Sequence, residues 1–286
     1  MPTISFDDMH LHYEVHGSGP PIFLHHGLGG SSQYWYRHLP WLTKKYQVII
    51  HDARGHALST APADYNRYSW EIMADDLHQL MEHLGIQKAI VGGLSMGCGV
   101  SHAFALKYPQ KIRALILSDC AGTGMLPKDT PPNFHQLMAR QLESGEQVVR
   151  EYGVMEHTYR ALAEGNVMKP IIGNSDYENQ YLERMARFPF NGFINANRFV
   201  MQTAIKNLEK TRELKMPTLV LIGEEDVALQ AGAEWLRDTL PNRRYVFITK
   251  VGHSIPWFKP EAWRKAVEDF LDDFEKGKDI RKEITL

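Results

Sequence analysis

Cysteine is almost missing from this chain: 286 residues contain two, Cys98 and Cys120. Two thiols cannot build the disulfide framework of a small secreted domain. A reducing, cytoplasmic setting is therefore the expectation. Long apolar runs are also missing. Segments such as Val48-Ile49-Ile50 fall far short of the roughly 20 residues that span a bilayer. The N-terminus, Met1-Pro2-Thr3-Ile4, has neither the charged start nor the apolar core of a signal peptide. Nor is there an excess of charge of one sign, since 32 basic and 34 acidic residues leave a net −2. Without a Lys/Arg cluster, the electrostatic footprint for nucleic acid or an anionic membrane is missing. The densest basic stretch, Lys276 to Lys282, is broken by Asp279 and reads as a solvated tail. There is no internal repeat and no low-complexity tract. What is there is ordinary globular composition, 43% hydrophobic and 23% charged, which leaves a soluble enzyme or a small-molecule binder.

Met9 to His16 alternate apolar and polar residues, the period of a half-buried strand, and Asp7-Asp8 makes a turn after Ile4-Ser5-Phe6. The pattern then becomes short continuous apolar runs: Ile22–Leu24, Val48–Ile50, Ala89–Val91, Leu115–Leu117, Leu219–Ile222 and Tyr245–Ile248. Such runs are what parallel strands covered on both faces look like. Helical periodicity fills the gaps. Trp70, Met73, Leu77, Leu80, Met81 and Leu84 recur on one face, with Ser69 as N-cap and Gly85 as stop. Met96–Tyr108, Ala231–Leu240 and Pro260–Lys276 complete the set. The alternation predicts an α/β sheet with helices on both faces. Between Asp119 and Pro217 it breaks down. That stretch is helical in pattern and rich in methionine and aromatic residues (Met138, Met168, Met185, Tyr152, Phe188, Phe199). It reads as a helical subdomain with its own core, as an apolar-pocketed lid, or as both.

The chemistry centres on Val91-Gly92-Gly93-Leu94-Ser95-Met96-Gly97. A Gly-x-Ser-x-Gly between a strand and a helix makes a tight elbow, with the serine strained and exposed at the top of the sheet. Gly93 and Gly97 are needed because larger side chains would meet the neighbouring strand and helix. A serine hydroxyl needs a base. His253, in Val251-Gly252-His253-Ser254 after the last predicted parallel strand, is the histidine best placed for it. The carboxylate that orients an imidazole is best matched by Asp226 in Gly223-Glu224-Glu225-Asp226. Glu224, Glu225 and Asp119 are the alternatives. Backbone N–H groups of Leu28, in His25-His26-Gly27-Leu28-Gly29-Gly30, and of Met96 are candidate oxyanion donors. Adjacent histidines point apart, and no acidic residue stands at metal-site spacing, so neither a metal nor a cofactor is expected.

These motifs, in this order, resemble the α/β-hydrolase superfamily over nearly the whole chain. His26–Gly30 followed by Trp35 is similar to its oxyanion loop, and His51-Asp52-Ala53-Arg54-Gly55-His56-Ala57-Leu58-Ser59 to its D-x-R-G-x-G-x-S segment. The resemblance implies a mostly parallel eight-stranded sheet flanked by helices, with core in residues 1–122 and 214–286 and a helical cap at 123–213. It also implies that Asp52 and Arg54 brace a loop rather than react. Two departures stand out: Ala57 replaces the usual glycine, and Cys98 stands where the elbow often has another, as a packing residue or a thiol that modulates the site.

Ser95 in place of an aspartate nucleophile argues against dehalogenase or epoxide-hydrolase chemistry. The resemblance implies hydrolysis of a small carboxylic ester or lactone. The runner-up is carbon–carbon hydrolysis of ring-cleavage diketones, although relatives of that kind often carry tryptophan directly after the histidine, where this chain has Ser254. A small-ligand receptor that keeps the triad is the alternative of another class. His26, Trp35, Arg198 (or Arg187) and Trp257 are candidate substrate contacts. The partner is then a small molecule, and a monomer and a homodimer both stay open.

Overall fold

The computed structural model describes residues 2–286, with Met1 outside the described residues. The expected hairpin forms from β1 (Thr3–Phe6) and β2 (Met9–His16), paired antiparallel. The six continuous apolar runs become β3 (Pro21–His25), β4 (Gln47–His51), β5 (Ala89–Leu94), β6 (Ile112–Ser118), β7 (Thr218–Gly223) and β8 (Arg243–Ile248). A further strand, β9 (Lys282–Thr285), pairs parallel with β8. Among the described residues the sheet therefore has nine strands, in the order β1-β2-β4-β3-β5-β6-β7-β8-β9, not the expected eight. The basic tail is likewise not simply solvated. Lys278 and Lys282 both reach Asp273, at 3.1 and 3.3 Å, and Leu286 N donates to Phe247 O. An edge strand this short and half polar has no long apolar run to give it away.

The helices are α1 (Leu39–Leu42), α2 (Trp70–His83), α3 (Met96–Lys107), α4 (Phe134–Tyr152), α5 (Val154–Ala163), α6 (Ser175–Ala186), α7 (Phe190–Gln202), α8 (Val227–Thr239), α9 (Ile255–Phe258) and α10 (Pro260–Glu275). Ser69 caps α2 by accepting from Ile72 N at 3.1 Å, and Gly85 beyond it takes a left-handed φ of +66°. The parallel strands are buried on both faces, as their unbroken apolar runs require. In β3, Phe23 joins Trp70, Leu77 and Phe104 on one side of the sheet. Its neighbours Ile22 and Leu24 join Trp35, Trp263 and Phe270 on the other. No helix among the described residues is long and apolar enough to cross a membrane.

Strand order reverses beside β3: the chain runs out to β4 and returns to β5, which pairs with β3 on the opposite side. Open α/β sheets bind ligands at the carboxyl ends of strands at such a switch point. The loop after β3 and the elbow after β5 meet there, with His25 in register with Gly93. Between β6 and β7 lie α4 to α7 and no strand. This helical segment lies over the loop after β4. A Cβ on Gly192 of α7 would sit 1.7 Å from Gly55 O, and Phe188 stacks on His56 with centroids 4.7 Å apart.

The cysteine expectation needs correction. Cys98 in α3 and Cys120 just after β6 are disulfide-bonded, with Cα atoms 5.0 Å apart. They are 22 positions apart in sequence, but β5 and β6 are adjacent strands. The elbow helix and the loop after β6 are thereby brought side by side. The argument from cysteine count to a reducing compartment falls with that pairing.

Candidate active site

Ser95 stands between β5 and α3 at φ 55°, ψ −117°, a region that side chains avoid and that costs about 1–3 kcal/mol to hold. The surroundings fix it there. Ser95 N donates to Ser118 O at 3.0 Å, and Ser95 O accepts from Gly99 N at 3.0 Å and Ala121 N at 3.3 Å. The two elbow glycines are needed for the steric reason expected. A Cβ on Gly93 would meet Gly97 backbone at 2.5 Å, and one on Gly97 would meet the carbonyl oxygens of His25 and His26 at 2.5 Å. Helix α3 is therefore seated directly on the loop after β3. There Gly30 N closes a turn onto Gly27 O at 2.9 Å, and Gly27 stands against the Ser95 side chain. Among the described residues, the N–H groups of Leu28 and Met96 are not drawn into the fold's hydrogen bonds. Leu28 lines the same cavity as Ser95.

His253 comes from the loop between β8 and α9, and its Nδ1 is 2.8 Å from Asp226 Oδ2. Asp226 is buried, at 6% exposure, at the start of α8. Burial alone would lower the His253 pKa, but the Asp226 hydrogen bond and the charges of Asp226 and Asp119 outweigh it and raise it above 6.5. Ser95 and His253 share a cavity of about 250 Å³. Asp119, the alternative acid, lies below. Its carboxylate accepts from Gly223 N at 3.3 Å and Ile255 N at 3.1 Å. Burial pushes its pKa up to about 7, with His253 opposing and Asp226 reinforcing the shift. Ligand atoms of Asp119, Asp226 and His253 fall within 4.8 Å of one another. The hydrogen bonds just given account for that cluster without an ion. Glu224 is turned away, accepting from Lys250 N at 2.8 Å, and Glu225 is exposed.

A family model described as the alpha/beta hydrolase fold matches residues 20–260. The chain belongs to the α/β-hydrolase family. A protein named putative carbamate hydrolase RutD, from Azorhizobium caulinodans, is 24% identical over 96% of this chain and 100% of its own length. A thermophilic esterase from Thermogutta terrifontis, solved with malate bound, is 27% identical with a TM-score of 0.77, covering 93% of this chain and 94% of that one. The enol-lactonase from Burkholderia xenovorans LB400 has a TM-score of 0.78 at 23% identity, over 95% and 100% of the two chains, and shows the shared fold.

In this α/β-hydrolase several expected substrate contacts lie elsewhere. His26 is buried as a brace. Its Nε2 accepts from Ala53 N at 3.0 Å, so Nδ1 carries the proton and donates to Gly27 O at 2.7 Å. Trp35 is fully buried, its ring 5.5 Å from that of Trp263. The 3-10 turn Ser32–His38 points Trp35 inward and its neighbour Tyr34 into the cavity. Arg198 pairs with Glu146, and Arg187 donates to Gln33 Oε1. Trp257 lines not the inner cavity but an adjoining outer compartment, with Nε1 donating to Gln180 at 3.1 Å. From the helical segment, Met168, Arg184, Val200 and Met201 do line the inner cavity. The aromatic residues Phe188, Phe193 and Phe199 are core instead.

Asp52 and Arg54 brace as expected. Asp52 accepts from Ser32 N at 2.7 Å and Leu58 N at 3.1 Å, while Arg54 forms a buried bidentate pair with Asp76 at 2.6 and 2.7 Å. Ala57 holds a φ of +43°, which explains why glycine is usual there. Tyr34 and Arg184 line the cavity, and sequence reasoning misses both. For Arg184 a signal exists: Tyr181, Arg184, Met185 and Phe188 follow the i, i+3, i+4, i+7 spacing of a buried helix face, and a charge belongs there only for a reason.

Proposed function

We propose that this hydrolase cleaves a small carboxylic ester or lactone through an acyl-enzyme on Ser95. The observation that carries the reading is the strained Ser95 opening into one cavity with a histidine already held by Asp226 at 2.8 Å. Ser95 Oγ attacks the carbonyl carbon as His253 Nε2 takes its proton. Asp226 keeps Nδ1 protonated and stabilises the imidazolium. The carbonyl oxygen becomes an oxyanion held by the N–H groups of Leu28 and Met96, each such donor being worth about 3–4 kcal/mol. When the tetrahedral centre collapses, His253 gives its proton to the departing alkoxide. The imidazole then activates a water that attacks the acyl carbon. The acid leaves, and Ser95 regains its proton.

The start of α3 adds its positive end to the oxyanion side. Leu28, Leu94, Met168, Val200 and Met201 give the cavity apolar walls, and its volume of about 250 Å³ suits a small acyl group. The relatives include a protein named a putative carbamate hydrolase and a thermophilic esterase, which supports hydrolysis of a carboxyl derivative. The test is p-nitrophenyl butyrate turnover by wild type and Ser95→Ala. The variant should lose about 10³-fold or more in kcat with its melting temperature kept. Turnover by Ser95→Ala at the wild-type rate would remove the nucleophile from the scheme.

A further inference from the structure

Both arginines that are buried among the described residues have a carboxylate: Arg54 has Asp76, and Arg244 has Asp273. Arg184 has none among the described residues, and its Nε is buried without a hydrogen-bond partner. It lines the inner cavity together with Ser95 and His253, and it also lines the outer compartment of about 290 Å³. Its guanidinium lies 4.6 Å from the ring centre of Trp257 and 5.3 Å from that of Tyr181, so aromatic faces hold it where the two spaces meet. Tyr34 lines both spaces too, and its hydroxyl is likewise buried without a hydrogen bond. The outer compartment adds Arg37 and Arg187, which donate to Trp257 O and Gln33 Oε1 and have no carboxylate partner among the described residues. Glu183, exposed, is its one acid.

Arg184 is half-buried, but its Nε is shut off from water and idle, and such a donor gains from an anion that supplies the missing partner. A planar fork of N–H donors matches a carboxylate in particular. We propose that Arg184, with the Tyr34 hydroxyl, is a carboxylate-binding subsite, so that the preferred ester or lactone carries a second, ionised carboxylate on its acyl chain. The substrate class rests on the acyl-enzyme reading above, while the subsite itself does not. Apolar walls beside Ser95 take the methylene chain, and the terminal carboxylate reaches Arg184 at the boundary of the two spaces. The alternative is that Arg184 only packs on Trp257 and Tyr181. In that case its loss would lower stability without changing which substrate is chosen.

The test compares kcat/KM for mono-p-nitrophenyl glutarate, which ends in a carboxylate, with p-nitrophenyl hexanoate, which ends in a methyl. Wild type should favour the glutarate ester by about tenfold or more at low salt. Arg184→Met should bring that ratio down by about tenfold, and Arg184→Lys should stand between them. A wild-type ratio of one or less overturns the proposal, as does an unchanged ratio in Arg184→Met, however much stability is lost. If Arg184→Met does not fold, the wild-type ratio and its fall with rising salt decide alone. Calorimetric titration of glutarate into Ser95→Ala keeps the two readings apart. Glutarate should bind there, and more weakly once Arg184→Met is added. Should Ser95→Ala still hydrolyse esters while glutarate binding needs Arg184, the nucleophile assignment fails and the subsite stands. Ester hydrolysis that requires Ser95, with glutarate binding indifferent to Arg184, keeps the nucleophile and overturns the subsite.

Discussion

A single methyl group at Gly97 should disable the site without touching a reacting atom. In Gly97→Ala the new Cβ would stand 2.5 Å from His25 O and His26 O and 2.6 Å from His25 C. Carbon in ordinary contact keeps about 3.5 Å, so α3 and the end of β3 must part by about 1 Å. Neither side is a flexible side-chain tip. One is the first turn of the helix behind Ser95, and the other is backbone running directly into Gly27 and Leu28. Overpacking of this kind costs about 1–3 kcal/mol, which should lower the melting temperature by several degrees in a chain of this size. The catalytic loss should be larger. A misplacement of about 1 Å between nucleophile and oxyanion donors costs about 10²-fold. The assay is kcat/KM on p-nitrophenyl butyrate beside a urea melt. Full activity with unchanged stability would mean that the contact between elbow and oxyanion loop is not what aligns the site.

The two acids below His253 separate by substitution. Asp226→Asn should lower kcat by about 10⁴-fold through loss of the imidazole's correct tautomer. Asp119→Asn keeps the Asp226 hydrogen bond but turns an amide N–H toward one of two backbone donors, costing about 1–3 kcal/mol of stability with only a small loss of kcat. The reverse order of activities would transfer the orienting role to Asp119. The pH profile follows from the same charges. Acylation needs neutral His253, whose pKa is raised above 6.5, so kcat/KM should fall on the acid side through a pKa higher than 6.5. Asp119, its pKa pushed up to about 7, is only partly charged there, so Asp119→Asn should move that limb only slightly to lower pH, and a limb at or below 6.5 in wild type would contradict the electrostatic account. Arg54→Met leaves Asp76 buried and unpaired and should cost about 3–5 kcal/mol in a denaturant melt. A loss below about 1 kcal/mol, the range of an ordinary surface pair, would show that this pair braces nothing.

How far the sequence alone reaches can be seen residue by residue. Ser69, Gly85, Gly93 and Gly97 are legible because each does a local job that few residue types can do. The six parallel strands are legible because burial on both faces leaves an unbroken apolar run. β9 is not, since a four-residue edge strand holds its place by pairing with β8 rather than by its own pattern. The Cys98–Cys120 bond is hidden for a similar reason: it depends on which strands are neighbours. Trp35 and Tyr34 illustrate a finer limit. The sequence marks the right turn, but one residue of rotation in a 3-10 helix decides which ring faces the core and which faces the cavity. Arg187 and Arg198 stand out as cap arginines, yet each has a local partner. Arg184, whose idle guanidinium is the informative one, shows itself only when the helices are packed.

The central claim, that Ser95 carries the acyl group, is tested most directly by covalent capture. A fluorophosphonate incubated with the folded protein, followed by peptide mass spectrometry, should place one phosphonate on Ser95 and abolish ester turnover in step with labelling. Labelling should vanish in Ser95→Ala. A phosphonate on any other residue, or turnover that survives complete labelling of Ser95, would contradict the account.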